Sequence, residues 1–187
     1  MENVKTKNVQ SRTHTLDLVY TSMGVALIAV CSWITIPMTV PFTLQTFAVF
    51  AVLLMLGGKR GIMATFIYVL MGAVGIPVFS GFTGGIGILL GNTGGYIIAF
   101  ILIGLIYMAA IKMFGKKILV EIIALVLGLI VCYVFGTAWF MFIYLRETGE
   151  VGLYTVLTWC VFPFIIPDLV KMAMAFVLSK RVRPYIK

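Results

Sequence analysis

Carboxylates and imidazoles are scarce in this sequence. Six acidic residues and one histidine, His14, serve 187 positions. No carboxylate cluster can be drawn from so few to hold Mg²⁺ at a lipid headgroup. No H-E-x-x-H or G-x-S-x-G motif occurs. No G-x-x-x-x-G-K-[ST] phosphate loop occurs either; Gly57-Gly58-Lys59-Arg60 is a basic turn. The expectation is a chain that is not an enzyme, with no catalytic residue, no metal site, no cofactor and no ATPase site of its own. Cysteine is also rare. Cys31, Cys132 and Cys160 stand apart in apolar surroundings, without paired or metal-ligand spacing, and read as small buried side chains. Met1 to Thr15 is polar and lacks the apolar core and cleavage site of a signal peptide, so the first helix is expected to be retained.

Charge of both signs is sparse, and apolar residues fill its place. The chain is 11% charged and 62% hydrophobic, against about 25% and 45–50% in soluble domains. A soluble fold of this size cannot hide that much apolar surface. The class expected is all-α: a polytopic membrane protein with a lipid bilayer as its solvent. One membrane domain spans 1–187, with a polar tail at 1–15, a six-helix bundle at 16–181 and a basic tail at 182–187. Six transmembrane spans are predicted, from about Asp17 to Ile36, Leu44 to Leu56, Ile62 to Val74, Gly94 to Met113, Ile118 to Leu145, and Pro163 to Leu178. The second and third are shorter than the 20 or so residues a span needs. They are expected to extend into their flanks or to pack against neighbours.

A net charge of +8 would suggest a nucleic-acid partner in a soluble protein. Here the cations lie between apolar runs and read as topology, with no nucleic acid implied. Twelve of the fourteen Lys and Arg (Lys5, Lys7, Arg12, Lys59, Arg60, Lys112, Lys116, Lys117, Lys180, Arg181, Arg183 and Lys187) fall on one side of the six-span arrangement. Arg146 falls on the other, and Lys171 lies within a span. Both termini are therefore expected to be cytoplasmic.

Two features stand out as candidate chemistry. The outer loop between the third and fourth spans, Gly75 to Gly95, holds eight glycines and no charge. Such a loop can fold back into the bundle and bring backbone close to a ligand, including Gly84 and Gly85. It can equally be a compact packing loop. The second feature is Asp168 and Lys171, three apart on one face of the last span. Ionisable groups inside a span are costly and face a bundle interior or cavity. They read either as a ligand site or as an ion pair joining helices. Pro167 is expected in the first helical turn. Thr43 and Gln45 lie on the same side as the glycine loop, and Asn92 and Thr93 can cap the fourth span. Trp33, Phe79, Phe82, Tyr96, Trp139 and Trp159 can wall a cavity or anchor at the interface. Ser22 and Ala26 form a small-xxx-small face that permits close approach of another helix.

At these residues the sequence resembles the BioY family. Ile36-Pro37 with Val40-Pro41-Phe42-Thr43-Leu44-Gln45-Thr46 looks like that family's first loop. Leu70-Met71-Gly72-Ala73-Val74-Gly75-Ile76-Pro77-Val78-Phe79, then Gly84-Gly85-Ile86-Gly87 and Gly91-Asn92-Thr93-Gly94-Gly95-Tyr96, continue the likeness. Pro167-Asp168-Leu169-Val170-Lys171 resembles the final signature, with Pro167 where glycine is usual. The likeness runs from about Leu16 to Arg181. It implies the biotin-specific substrate-binding (S) component of an energy-coupling factor (ECF) transporter: a multi-pass protein of the bacterial plasma membrane, working with a coupling membrane protein and two ATPase subunits. It implies that Ser22 and Ala26 dock on the coupling protein, Ser22 replacing the usual alanine. The substrate residues implied or inferred are Asp168, Lys171, Asn92, Thr43, Gln45, Tyr96, Gly84, Gly85 and Phe79. A subunit for another vitamin and a small homo-oligomeric channel are the competing readings.

Overall fold

The computed structural model describes residues 2–186, with side chains from residue 14 onward. The first helix, α1, spans Glu2–Trp33. It runs straight through the stretch expected to be a polar tail, because no glycine or proline interrupts the sequence before Gly24. It also stops short of the Ile36 boundary expected from the pattern. Ile36 precedes Pro37 and is pushed into the extended region. Thr35–Ile36 (β1) then pairs antiparallel with Phe42–Thr43 (β2), with Thr35 opposite Thr43 and Ile36 opposite Phe42. The described chain is mostly helical, as the all-α class expects, with this small hairpin as an addition.

Next come α2 (Gln45–Leu56) and α3 (Gly58–Ala73), separated by Gly57 at φ +82°. The glycine-rich segment is not featureless: it holds a 3₁₀ turn at Ser80–Phe82 and a short helix, α4, at Ile86–Leu90. Then follow α5 (Gly94–Phe114) and α6 (Ile118–Glu147), which reaches two residues beyond the expected Leu145. A further helix, α7 (Leu153–Cys160), stands where no element was expected. The last long helix, α8, spans Phe162–Val182. Pro163 occupies its first turn, and Pro167, expected there, lies inside the helix instead. Pro167 has no N–H to give the Pro163 carbonyl, which loosens the backbone just before Asp168.

Four stretches are long and apolar enough to cross a membrane: His14–Trp33, Gly94–Phe114, Ile118–Glu147 and Leu153–Tyr185. Helix α2, at 12 residues, is apolar but shorter. Its burial explains how it persists. Every residue from Ala48 to Leu54 is fully inaccessible, at 0% exposure. Helices α1, α3, α5 and α8 pack around it. A helix apolar all round is satisfied when protein covers all of it. Outward faces are apolar too: Leu105, Ile123, Leu127, Ile130, Val134, Val170, Met174 and Val177 are exposed. In water such a surface would drive aggregation; in a bilayer it is the solvent-compatible face.

The two ends of the bundle differ. One carries the 34–44 hairpin and the glycine-rich segment. The other carries the Gly57 and Gly115 turns and the C-terminus, with a buried ion pair. Glu121, 1% exposed, receives two guanidinium bonds from Arg183, at 2.6 and 3.2 Å, and the Tyr107 hydroxyl at 3.0 Å. Arg183 Nε also donates to the Leu54 carbonyl at 2.7 Å. Part of the basic tail expected at 182–187 is thus folded back and paired, and ties α2, α5 and α6 together.

Candidate substrate site

Helix α8 brings Asp168 and Lys171 to one interior face, where they are 2% and 4% exposed. Their side chains form a 2.8 Å ion pair. Thr46, in the first turn of α2, bridges the two. Its hydroxyl donates to Asp168 Oδ1 at 2.8 Å and accepts from Lys171 Nζ at 3.2 Å. Tyr133 on α6 donates to Asp168 Oδ2 at 2.7 Å. Lys171 Nζ lies 4.1 Å from the centroid of the Phe42 ring, a cation–π distance. Buried charges persist when paired and hydrogen-bonded, and this pair is both.

The pair sits in the wall of a cavity that opens to the outside. Three layers make up the lining. Val40, Pro41, Thr43, Ser80 and Thr93 stand towards the hairpin and glycine-rich segment. Gln45, Thr46, Tyr133, Asp168 and Lys171 supply the polar core. Tyr96, Ile97, Phe100, Leu129, Cys132, Cys160 and Phe164 form the apolar wall. The arrangement suits a mostly apolar ligand with one hydrogen-bonding head.

Close packing holds Tyr96 in place. Its hydroxyl pairs with Thr137 at 3.0 Å, and a Cβ at Gly136 would fall inside its ring. Only glycine lets the Tyr96 ring lie on α6. Thr43 Oγ1 accepts from the Gln45 N–H at 3.2 Å, and Gln45 Nε2 donates to the Tyr68 hydroxyl at 2.8 Å. Tyr68 in turn donates to the Val78 carbonyl at 3.1 Å, so the first turn of α2 and the glycine-rich segment are coupled.

The structure brings Thr43, Gln45, Tyr96, Asp168 and Lys171 to one cavity, and not Asn92, Gly84, Gly85 or Phe79. Phe79 is buried beneath the loop, edge-on to Tyr68, against a Gly72 whose missing Cβ makes the room. Gly85, at φ +105°, donates its N–H to the Gly72 carbonyl at 2.7 Å. A Cβ on Gly84 would strike the Ile76 carbonyl. These residues build the loop and are not among those lining the cavity. Asn92 Oδ1 is buried without a hydrogen-bond partner, and Thr93, at the N-cap position of α5, makes no side-chain cap bond. The capping expected of both is therefore corrected, though Thr93 does line the cavity. Of the aromatic residues expected as walls, only Tyr96 lines the cavity. Trp33 Nε1 donates to the Pro77 carbonyl at 2.9 Å and stacks on Phe82, and Trp139 Nε1 donates to the Gly91 carbonyl at 3.0 Å. Both tryptophans hold the loop.

Sequence reasoning missed Tyr133, whose neighbours on α6 are apolar and whose partner Asp168 is 35 residues away. It also assigned no role to Thr46, although the residue lies inside the motif that singled out Thr43 and Gln45. Among the described residues, no group of three or more His, Cys, Asp or Glu side chains is placed to hold a metal. At the other end, Ser22 and Ala26 are exposed on α1, four residues apart on one face. Ala26 borders an apolar groove formed with Tyr20, Met23, Val52, Met55 and Val182.

Comparison with known proteins gives a consistent result. The BioY family model matches residues 4–187. A probable biotin transporter BioY of Pyrococcus horikoshii is 40% identical over 163 residues, covering 87% of this chain and 93% of that one. The biotin transporter BioY of Thermotoga maritima is 36% identical, covering 89% of this chain and 95% of that one. Among solved structures, the S-component for biotin from an ECF-type ABC transporter superposes with a TM-score of 0.81 at 25% identity, covering 92% of this chain and 93% of that one.

Proposed function

Because the chain belongs to the BioY family, we propose that it captures biotin at the outer face of the membrane, as the S component of an ECF-type transporter. The observation that carries this reading is the Asp168–Lys171 pair, buried and hydrogen-bonded in the wall of a largely apolar cavity. Biotin has an apolar thioether ring and chain, a ureido group with two N–H donors and one acceptor, and a carboxylate. Asp168 accepts a ureido N–H. Ile97, Phe100, Leu129 and Phe164 enclose the fused rings, and the hydroxyls of Thr43, Ser80 and Thr93 stand nearer the mouth. The loop held by Trp33 and Trp139 covers the site. Another vitamin would meet the same helices but a poorly matched polar head, and a channel would need a hydrophilic pore lining that the apolar helices lack.

Energy comes from elsewhere, since the sequence holds no nucleotide motif. A coupling membrane protein and two ATPase subunits supply it, docking on the exposed Ser22–Ala26 face. We read six crossings, with both termini in the cytoplasm. The distribution of basic residues supports that orientation. The burial of α2 supports counting this short helix as a crossing. Cysteines placed singly at Lys116 and Glu147, in a background without native cysteine, label from opposite sides of the membrane. Labelling from one side overturns the topology.

The decisive test is mass spectrometry of small molecules released from the purified chain, followed by calorimetry with a panel of vitamins. Biotin is recovered and binds in preference to the others. Recovery or tighter binding of a different vitamin refutes the assignment.

A further inference from the structure

We propose that the chain carries a binding site for an anionic phospholipid at the end of the bundle away from the substrate cavity. A groove between α1, α2 and the C-terminal turn seats one acyl chain, and Lys59, Arg60 and Arg181 hold the phosphate. The cavity begins at the first turn of α2; this groove lies at its last turn, beside Met55 and Leu56. Tyr20, Met23 and Leu27 supply one wall from α1. Val182 and Ile186, on either side of the 3₁₀ turn at Arg183–Tyr185, supply the other. The lining holds no charged residue. Gly24 lets α1 lie directly on the floor: a Cβ there would meet Val52, Leu56 and Ala64 at 3.1–3.2 Å. The far wall is fixed by Arg183, whose guanidinium is bound to Glu121 and to the Leu54 carbonyl. An apolar groove with both walls fixed is preorganised for an apolar guest.

Two observations select the guest. Tyr20 to Leu27 lie inside the His14–Trp33 stretch that is long and apolar enough to cross a membrane, so the groove opens towards acyl chains and not towards water. Its end is positively charged. The Arg60 guanidinium lies 5.5 Å from the centroid of the Tyr20 ring, which lines the groove. Lys59 is exposed beside Arg60, and the exposed Arg181 directly precedes Val182. Against these three cations stands Asp17, paired with Arg60, while Glu121 is engaged by Arg183. A positive surplus at the end of an apolar groove complements a phosphodiester joined to a hydrocarbon chain. Lys and Arg bind phosphate oxygens through charge-assisted hydrogen bonds. Basic pockets between membrane helices take anionic headgroups in the same way. A zwitterionic headgroup gains less there, because its own cation cancels the attraction.

Native mass spectrometry of the full chain in detergent tests this by titration with palmitoyl-oleoyl phosphatidylglycerol or the matching phosphatidylcholine. The expected result is one retained phosphatidylglycerol, held about tenfold or more tightly than phosphatidylcholine. A basic residue near an anionic headgroup is worth about fivefold, so Lys59→Gln with Arg181→Gln weakens binding roughly thirtyfold. Lys112→Gln with Lys116→Gln, at the same end but outside the groove lining, changes it little. Val182→Trp fills the groove and removes the lipid, and a parent-like thermal midpoint shows that the variant is folded. If Val182→Trp does not fold, the parent's lipid selectivity and the exposed-residue double variant decide. Equal binding of the two lipids, a dimer in place of the lipid-bound monomer, or parent-like phosphatidylglycerol affinity in either folded groove variant overturns the inference. A folded Val182→Trp that keeps the lipid but loses uptake with the energising subunits assigns the groove to the coupling protein, which overturns it equally.

Discussion

Asp168→Asn is the most informative single change. The substitution is isosteric, so its consequences can be followed bond by bond. The amide oxygen replaces Oδ1 and keeps the bonds from Thr46 and Lys171. The amide nitrogen replaces Oδ2. One of its protons turns to the Tyr133 hydroxyl, which now accepts instead of donating. The other points where a ligand N–H must arrive, so donor meets donor. A hydrogen bond to a charged group is worth about 1.5–3 kcal/mol, which predicts a 10- to 150-fold loss of biotin affinity. Stability also suffers, because the Lys171 ammonium, 4% exposed, loses its counter-charge. Breaking a buried pair from one side costs roughly 3–5 kcal/mol. The double variant Asp168→Asn with Lys171→Met removes that orphan charge and returns stability to near the parent's, since replacing a whole buried pair is often neutral. Affinity stays low in both variants. Thermal unfolding in detergent and calorimetry with biotin read the two effects separately. Parent-like biotin affinity in a well-folded Asp168→Asn variant would refute the assigned role of the carboxylate.

Three further outcomes are expected. Ser22→Trp or Ala26→Trp blocks close helix contact on α1 and abolishes uptake with the energising subunits while leaving biotin binding nearly intact; equal loss of both sinks the docking role. Gly136→Ala places a methyl group inside the Tyr96 ring, costs about 1–3 kcal/mol by overpacking and weakens biotin binding through a displaced cavity wall. Unchanged unfolding temperature and affinity would show that α6 yields freely there. Arg183→Ala strands Glu121, 1% exposed, and lowers stability by roughly 3–5 kcal/mol. Fifteen residues of helix, about 22 Å, separate it from Asp168, so biotin affinity in the folded fraction stays at the parent value.

The sequence alone determined the solvent. An excess of apolar residues with eleven per cent charge has one physical home. It also determined the candidates worth testing, because an aspartate and a lysine three apart in an apolar helix are too costly to be incidental. The long helices were legible for the same reason, through runs of one polarity. What it could not supply was the partner of each group. Tyr133 meets Asp168 across 35 residues, and Thr46 bridges α2 to α8 across more than a hundred. No local pattern records such distances. Arg183 read as one of the charges that set the topology until folding joined it to Glu121. Glycine was ambiguous by nature: at Gly84 and Gly72 the missing side chain makes room for the loop's own backbone and for Phe79, whereas at Gly85 glycine is needed for a φ of +105°. Spacing along the chain fixes which face a residue shares with its neighbours in one helix. Which other helix that face meets is decided by how all of them pack at once, and that only the tertiary structure decides.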